Sequence, residues 1–187
     1  MNGSRRIYDV GVGALLPSSS IREYYYLLED TFIGFMLHPY SKTKKRKAIS
    51  TAKFYFFDIG VRNYLSKIKD LPEQTDLFGD AFEHFIAMEL RAYIDYKRLD
   101  TELTFWRAKH GQEVDFILGD EIAIEVKSAK NVNDKHFKGL KTFSEENICS
   151  RHILISQDPT ALKYEKLEAM HWQDFINLLW KGKIIDY

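Results

Sequence analysis

Asp115 and the triplet Glu125-Val126-Lys127 place two carboxylates and an ammonium within a short stretch of one chain. Hydrolysis of a phosphodiester needs such a set. Carboxylates and waters hold a hard cation such as Mg²⁺ or Mn²⁺. The cation offsets charge on the phosphoryl oxygens and makes a water acidic enough to attack. A lysine can orient that water, help deprotonate it and stabilise the negative charge that develops. The main-chain carbonyl of Val126 is a third oxygen within reach, and Glu83, upstream, is the further carboxylate expected to complete the metal set or steer a water. The candidate catalytic residues are therefore Glu83, Asp115, Glu125 and Lys127, with Asp115, Glu125 and Glu83 as metal ligands. Gln112 and Glu113 lie beside them, and Gln112 fits the fixing of substrate or solvent better than ligation. Taken alone, a Glu-x-Lys on an amphipathic strand is more often a solvated, salt-bridging face. The joint occurrence of these residues, in this order, carries the reading.

Positioning them is a task for strands. Side chains alternate along a strand, so in the predicted strand 113–118 Val114, Phe116 and Leu118 share one face and Glu113, Asp115 and Ile117 the other. In 122–127 Ile122, Ile124 and Val126 are apolar, with Ala123, Glu125 and Lys127 opposite. Burying the apolar sets together brings Asp115, Glu125 and Lys127 to a common face. Opposed residues of an antiparallel pair have a constant sum, and setting Asp115 across from Glu125 demands an odd loop. The turn is thus expected to be Gly119-Asp120-Glu121, with the glycine relieving positive φ, because a two-residue turn would split the charges between faces. Glu83 lies on a long predicted helix from about 75 to 98, whose Phe78, Phe82, Phe85, Ile86, Leu90, Tyr93 and Ile94 form an apolar stripe. On that helix His84 is expected to pair with Asp80 one turn back.

Further strands are expected at 103–107, 152–156 and 167–170, and helices at 133–145 and 172–180. This is an α/β order in which hairpins come first and a crossover helix adds a later strand. Phe105 and Trp106 read as core. Before them, a helix over 21–28 capped by one of Ser18 to Ser20, a strand at 32–37 and a strand at 54–57 flank a basic turn. That turn carries Lys42, Lys44, Lys45, Arg46 and Lys47, five cations in the seven positions 41–47. A helix and two strands around a basic turn is the layout of the second half of a winged helix. The turn is then a candidate nucleic-acid contact, each cation releasing counterions from phosphates, or else an ordinary solvated loop. A short helix at 59–66 and a polar linker at 67–74 follow.

Composition narrows the classes. The 187 residues are 45% hydrophobic and 14% aromatic, enough for one ordinary core or two small ones. The formal net charge of zero leaves any attraction to nucleic acid to local patches. One cysteine, Cys149, allows no intrachain disulfide and fits a reducing compartment. No apolar run approaches a membrane span and no leader-like segment opens the chain, so a cytoplasmic protein without membrane contact is expected. Neither Gly-x-x-x-x-Gly-Lys-Ser/Thr nor Gly-x-Gly-x-x-Gly occurs, so no nucleotide site is expected in this chain. The histidines are too scattered in sequence for zinc.

Asp115, Glu125-x-Lys127 and Glu83 resemble the PD-(D/E)xK nuclease motif. Phe82-Glu83-His84-Phe85-Ile86, Glu89-Leu90, Phe105-Trp106-Arg107 and Gly111-Gln112-Glu113-Val114-Asp115-Phe116 resemble the DUF4143 domain, the C-terminal part of a family of prokaryotic AAA-type ATPases. Tyr24 to Leu37 and Lys53 to Asn63 are similar to that family's sequence upstream of the nuclease-like core, so the likeness covers nearly the whole chain. Val114 stands where the motif's name has proline. The resemblance implies an α/β fold with a restriction-endonuclease-like core, a mixed sheet flanked by helices, over 58–187, and a partial winged-helix segment over 1–57. It implies a Mg²⁺- or Mn²⁺-dependent phosphodiesterase acting on DNA, with an ATPase domain outside this sequence as partner and a second subunit where two strands are cut. The rival implication is a catalytically silent nucleic-acid- or partner-binding module of a larger AAA-type ATPase.

Overall fold

The computed structural model describes residues 17–46, 48, 51–109 and 111–185. Its elements are α1 (Ser18–Asp30), β1 (Gly34–Pro39), β2 (Lys53–Phe56), α2 (Ile59–Leu65), α3 (Asp76–Lys97), β3 (Leu103–Arg107), β4 (Glu113–Leu118), β5 (Ile122–Val126), a 3₁₀ turn (Asp134–Phe137), α4 (Lys138–Ser144), β6 (Arg151–Ser156), β7 (Leu162–Tyr164), β8 (Leu167–His171) and α5 (Trp172–Trp180). The strands form one mixed sheet ordered β2-β1-β3-β4-β5-β6-β8-β7. β1/β3, β5/β6 and β6/β8 are parallel, and the other neighbours are antiparallel. The architecture is α/β, with α4 forming the crossover between parallel β5 and β6.

Alternation along the strands sends apolar side chains to both faces, and each face has its own core. On one face α3 supplies Phe82, Ile86, Leu90 and Ile94, and α5 supplies Phe175 and Leu179, against Phe35, Tyr55, Phe105, Phe116, Ile124 and Ile153. On the other, Leu140 and Phe143 of α4 pack on Trp106, Val114, Ile117, Ala123 and Leu154. Near β1 and β2, α1 lays Tyr25 and Leu28 on Met36 and Phe54. Long, amphipathic α3 starts where its sequence directs: Phe78 N–H donates to the Thr75 hydroxyl, 3.2 Å away.

Two local expectations are corrected and one contact is added. α1 begins at Ser18, so its N-cap position is Pro17 rather than one of the serines; Pro17 sets the entry angle by its own fixed φ of −57°. β1 starts two residues later than expected, because Phe32 closes the helix in the left-handed region at φ 59° and stands 85% exposed. Its N–H and that of Ile33 return to the carbonyls of Glu29 and Leu28, a helix-ending pattern glycine usually serves. His84 Nε2, finally, lies 2.7 Å from the Phe56 carbonyl, a partner the sequence did not suggest, and so ties α3 to β2.

The expected boundary at 57/58 falls between β2 and α2. β1 and β2 belong to the same sheet as the core strands, β1 running parallel to β3. Among the described residues no helix is long and apolar enough to cross a membrane.

His152 on β6 is fully buried beside Phe143, and neither ring nitrogen has a hydrogen-bond partner. Burial, helped by Lys166, lowers its pKa to about 4. Below pH 6.5 the unfolded chain takes up a proton that the folded chain refuses until about pH 4, so stability falls as pH drops through that window. The expected loss between pH 7 and 5 is about 2 kcal/mol. Urea unfolding of His152→Leu should show that much less pH dependence than the parent, and identical slopes would refute the assignment.

Candidate functional site

The hairpin of β4 and β5 has the expected register. Phe116 faces Ile124, Ile117 faces Ala123 and Leu118 faces Ile122, the loop is Gly119-Asp120-Glu121, and Gly119 takes φ 56°. On the β3 side the pairing slips. Thr104 faces Ile117 but Trp106 faces Val114, so Phe105 stands opposite both Asp115 and Phe116, as in a β-bulge. The slip turns Val114 to the α4 side while Phe116 stays under α3, against the expectation that they share a face. It also re-aims Asp115, whose Oδ2 accepts from Val126 N–H at 2.9 Å beyond the end of the β4/β5 ladder.

Two charge groups meet here. In the first, Lys127 Nζ lies 2.5 Å from Glu125 Oε1, and the Lys127 backbone N–H donates to Ile155 of β6. The second oxygen of Glu125, Oε2, is buried with no hydrogen-bond partner. α4 comes close at this point because Gly139 has no side chain. A Cβ there would meet the Glu113 carbonyl at 1.9 Å and Glu125 Oε2 at 3.2 Å. In the second group, Lys53 Nζ from β2 lies 2.6 Å from Glu113 Oε1, 3.2 Å from Glu83 Oε1 and 3.9 Å from Asp115 Oδ1. The Tyr55 hydroxyl donates to Glu83 Oε1 at 2.5 Å, and Arg107 Nη1 lies 3.3 Å from Glu113 Oε2.

The electrostatics separate the carboxylates. Burial pushes Glu83 up, but Lys53 and the Tyr55 hydroxyl prevail and hold it below the usual range. Burial, then repulsion from Glu83, raises Asp115 to about 6 against the pull of Lys127 and Lys53. Glu125 is raised well above its ordinary value by burial and by Asp115. Lys127 is raised too, since Asp115 and Glu125 outweigh the burial of its ammonium.

Glu125, Lys127, Gln112 and Glu113 line one side of a cleft of about 280 Å³, and Lys135, His136 and Lys138 of the 3₁₀ turn and α4 line the other. Asp115 is buried behind the first wall. His136 Nδ1 accepts from Asn133 N–H at 3.0 Å, which leaves the Nε2 side of the ring for other contacts.

Among the described residues, no three carboxylate, histidine or cysteine side chains converge as a metal cage. Glu83 is engaged by Lys53 and Tyr55. Asp115 and Glu125 nonetheless suit a cation held mainly by water, as Mg²⁺ often is. Four carboxylates (Glu83, Glu113, Asp115, Glu125) meet three cations (Lys53, Arg107, Lys127), and one carboxylate oxygen is orphaned. One positive charge is wanting, on the side where burial and Asp115 raise Glu125.

The structure thus brings Asp115, Glu125 and Lys127 together and sets Glu83 one side chain away, behind Lys53. Sequence reading missed Lys53 and Tyr55, although their alternation with Phe54 and Phe56 marks one polar face of β2. It also assigned no role to Lys135, His136 or Lys138. The basic turn lies elsewhere, against the C-terminal end of α4 and the β4/β5 loop. Lys42 pairs with Asp120 at 2.7 Å, Arg46 with Glu145 at 2.6 Å, and the Lys45 ammonium donates to the Glu145 carbonyl. The backbone N–H groups of Lys44 and Lys45 both donate to Glu146. Lys47 lies outside the described residues.

No curated protein and no solved structure matches the chain. A family profile described as a domain of unknown function, DUF8612, matches residues 7–72. A second, also described as a domain of unknown function, matches residues 78–175, which include α3 from Phe78 onward, the hairpin and the cleft; the chain belongs to this family, DUF4143.

Proposed function

We propose that the chain is a metal-dependent phosphodiesterase acting on DNA, with Asp115, Glu125 and Lys127 at its centre. The observation that carries the reading is the buried, unpartnered Oε2 of Glu125 beside Asp115 and Lys127, on the wall of a cleft whose other wall is cationic. Asp115 and Glu125 would hold Mg²⁺ or Mn²⁺. The bound cation would supply Lewis-acid polarisation of the phosphoryl group and an acidified water. Lys127 orients the attacking water and stabilises charge on the phosphoryl oxygens. Lys135 and Lys138 meet backbone phosphates across the cleft, a sequence-independent contact. A cytoplasmic setting accords with a single, buried cysteine, and an ATPase domain and a second subunit remain the expected partners.

One observation favours the rival reading, a silent binding module of a larger ATPase: Lys53 already neutralises Glu83 and Glu113. Calorimetric titration with Mn²⁺ separates the two. The enzyme reading expects one ion bound at millimolar metal or below, lost in Asp115→Asn. No binding, or binding indifferent to that substitution, would favour the silent module.

A further inference from the structure

His136 stands on the cationic wall of the cleft, between Lys135 and Lys138 and across from Glu125 and Lys127. Hydrogen bonds fix it there. Its Nδ1 accepts from Asn133 N–H at 3.0 Å, and Asn133 Oδ1 accepts in return from Lys135 N–H at 3.1 Å, a reciprocal box in which glutamate or glutamine usually stands where this histidine does. The segment is tied down on both sides. Val132 N–H donates to Asp158 at 2.7 Å, Asp134 pairs with Lys141, and Phe137 packs on the α4-side core.

A backbone N–H can only donate, so Nδ1 must present a lone pair and the ring proton resides on Nε2. The box therefore selects one tautomer and leaves a directional donor on a ring that lines the cleft. Glutamate would close the box too, but it would set a further carboxylate opposite Glu113 and Glu125, and lysine could not accept at all. Histidine closes it without negative charge and keeps a donor to spare. The opposite wall carries an independent sign of a ligand: Glu125, 5% exposed, has its Oε2 buried without a partner. Between an unsatisfied carboxylate and a row of donors fits a group that brings both an oxyanion and its own counter-cation, as a phosphodiester does.

We propose that His136 is a phosphate-binding residue whose Nε2–H donates to a non-bridging oxygen of a nucleic-acid strand lying in the cleft. Lys135 and Lys138 attract that strand as flexible point charges. The fixed imidazole sets where along it a phosphate stops. That the ligand is a nucleic-acid strand rests on the function proposed above, whereas the tautomer and the free donor rest on the Asn133 contact alone.

Two replacements in the full chain separate this role from capping alone. His136→Gln keeps an acceptor for Asn133 N–H and a neutral donor beyond it. An Nε2-methylated histidine at the same position keeps the acceptor and blocks the donor without adding charge. Both should melt within a few degrees of the parent. Fluorescence anisotropy of a labelled oligothymidylate in EDTA, where no metal contributes, should find Kd weakened on the order of 10-fold or more by methylation and changed less than about threefold by glutamine. In the imidazole ¹H–¹⁵N spectrum of the parent, Nδ1 of His136 should be the unprotonated nitrogen, and the Nε2 resonance should move when the oligonucleotide is added. Equal affinity of the methylated and parent chains, a neutral ring protonated at Nδ1, or no oligonucleotide binding by the parent would overturn the proposal. Equal affinity beside Mn²⁺ binding that Asp115→Asn abolishes would sink this inference and leave the nuclease reading standing. Methylation-sensitive binding in a chain that takes up no Mn²⁺ would do the reverse.

Discussion

Lys127→Ala is expected to slow Mn²⁺-supported DNA nicking on the order of 10²- to 10³-fold while leaving the fold intact. The magnitude is that of removing one fixed electrostatic contact to developing charge. The side chain is partly exposed at the cleft, so alanine opens no core cavity, and the Lys127 backbone still donates to Ile155. What is lost is the ammonium 2.5 Å from Glu125, the group that most opposes the upward push of burial and Asp115 on that carboxyl. Glu125 should then favour its protonated form more strongly and hold Mn²⁺ less well, an effect that rising pH partly relieves. A plasmid-nicking series across pH reads both consequences. Nicking by Lys127→Ala at the parental rate would remove Lys127 from the chemistry.

The largest effect on stability is expected at Trp106. It is fully buried at the middle of the α4-side core, its ring centroid 5.2 Å from that of Phe143. Truncation to alanine should cost about 3–5 kcal/mol through lost transfer energy and the cavity left behind. That is a large share of the 5–15 kcal/mol typical of a folded domain. Trp106→Phe offers a sharper comparison. The indole Nε1 is buried without an acceptor, and an unsatisfied donor of this kind costs about 1–3 kcal/mol. Phenylalanine keeps a ring against Phe143 and deletes that donor, so its loss should be well below alanine's. Equal shifts in the denaturant midpoint would show that the indole N–H contributes stability after all.

The contrast between these sites shows what sequence could convey. The odd hairpin loop was readable because one face of β5 is wholly apolar and the parity of Glu125 and Lys127 is fixed by it. α3 was readable from its apolar stripe, and its observed ends fall at Thr75 and Arg98, as expected. The slip opposite Phe105 left no mark in the periodicity, since Val114 and Phe116 are apolar whichever side they take. β7 is three residues long, too short for any period to register. Lys53 escaped notice for a different reason. Its partners lie 30 or more positions away, and a lysine opening an aromatic strand looks like an edge residue until β1 and β3 bring β2 to α3.

That arrangement bears on how the chain can be divided. The matched DUF4143 region begins at Phe78, inside α3, and omits β1 and β2. Excised on its own, it would keep β3 with one side stripped of its parallel neighbour, presenting unpaired N–H and C=O groups along an apolar strand, the kind of margin that recruits other chains and drives aggregation. β1 and β2 therefore serve as a selvedge for the sheet, covering the border of β3 along which it would otherwise go on growing from molecule to molecule.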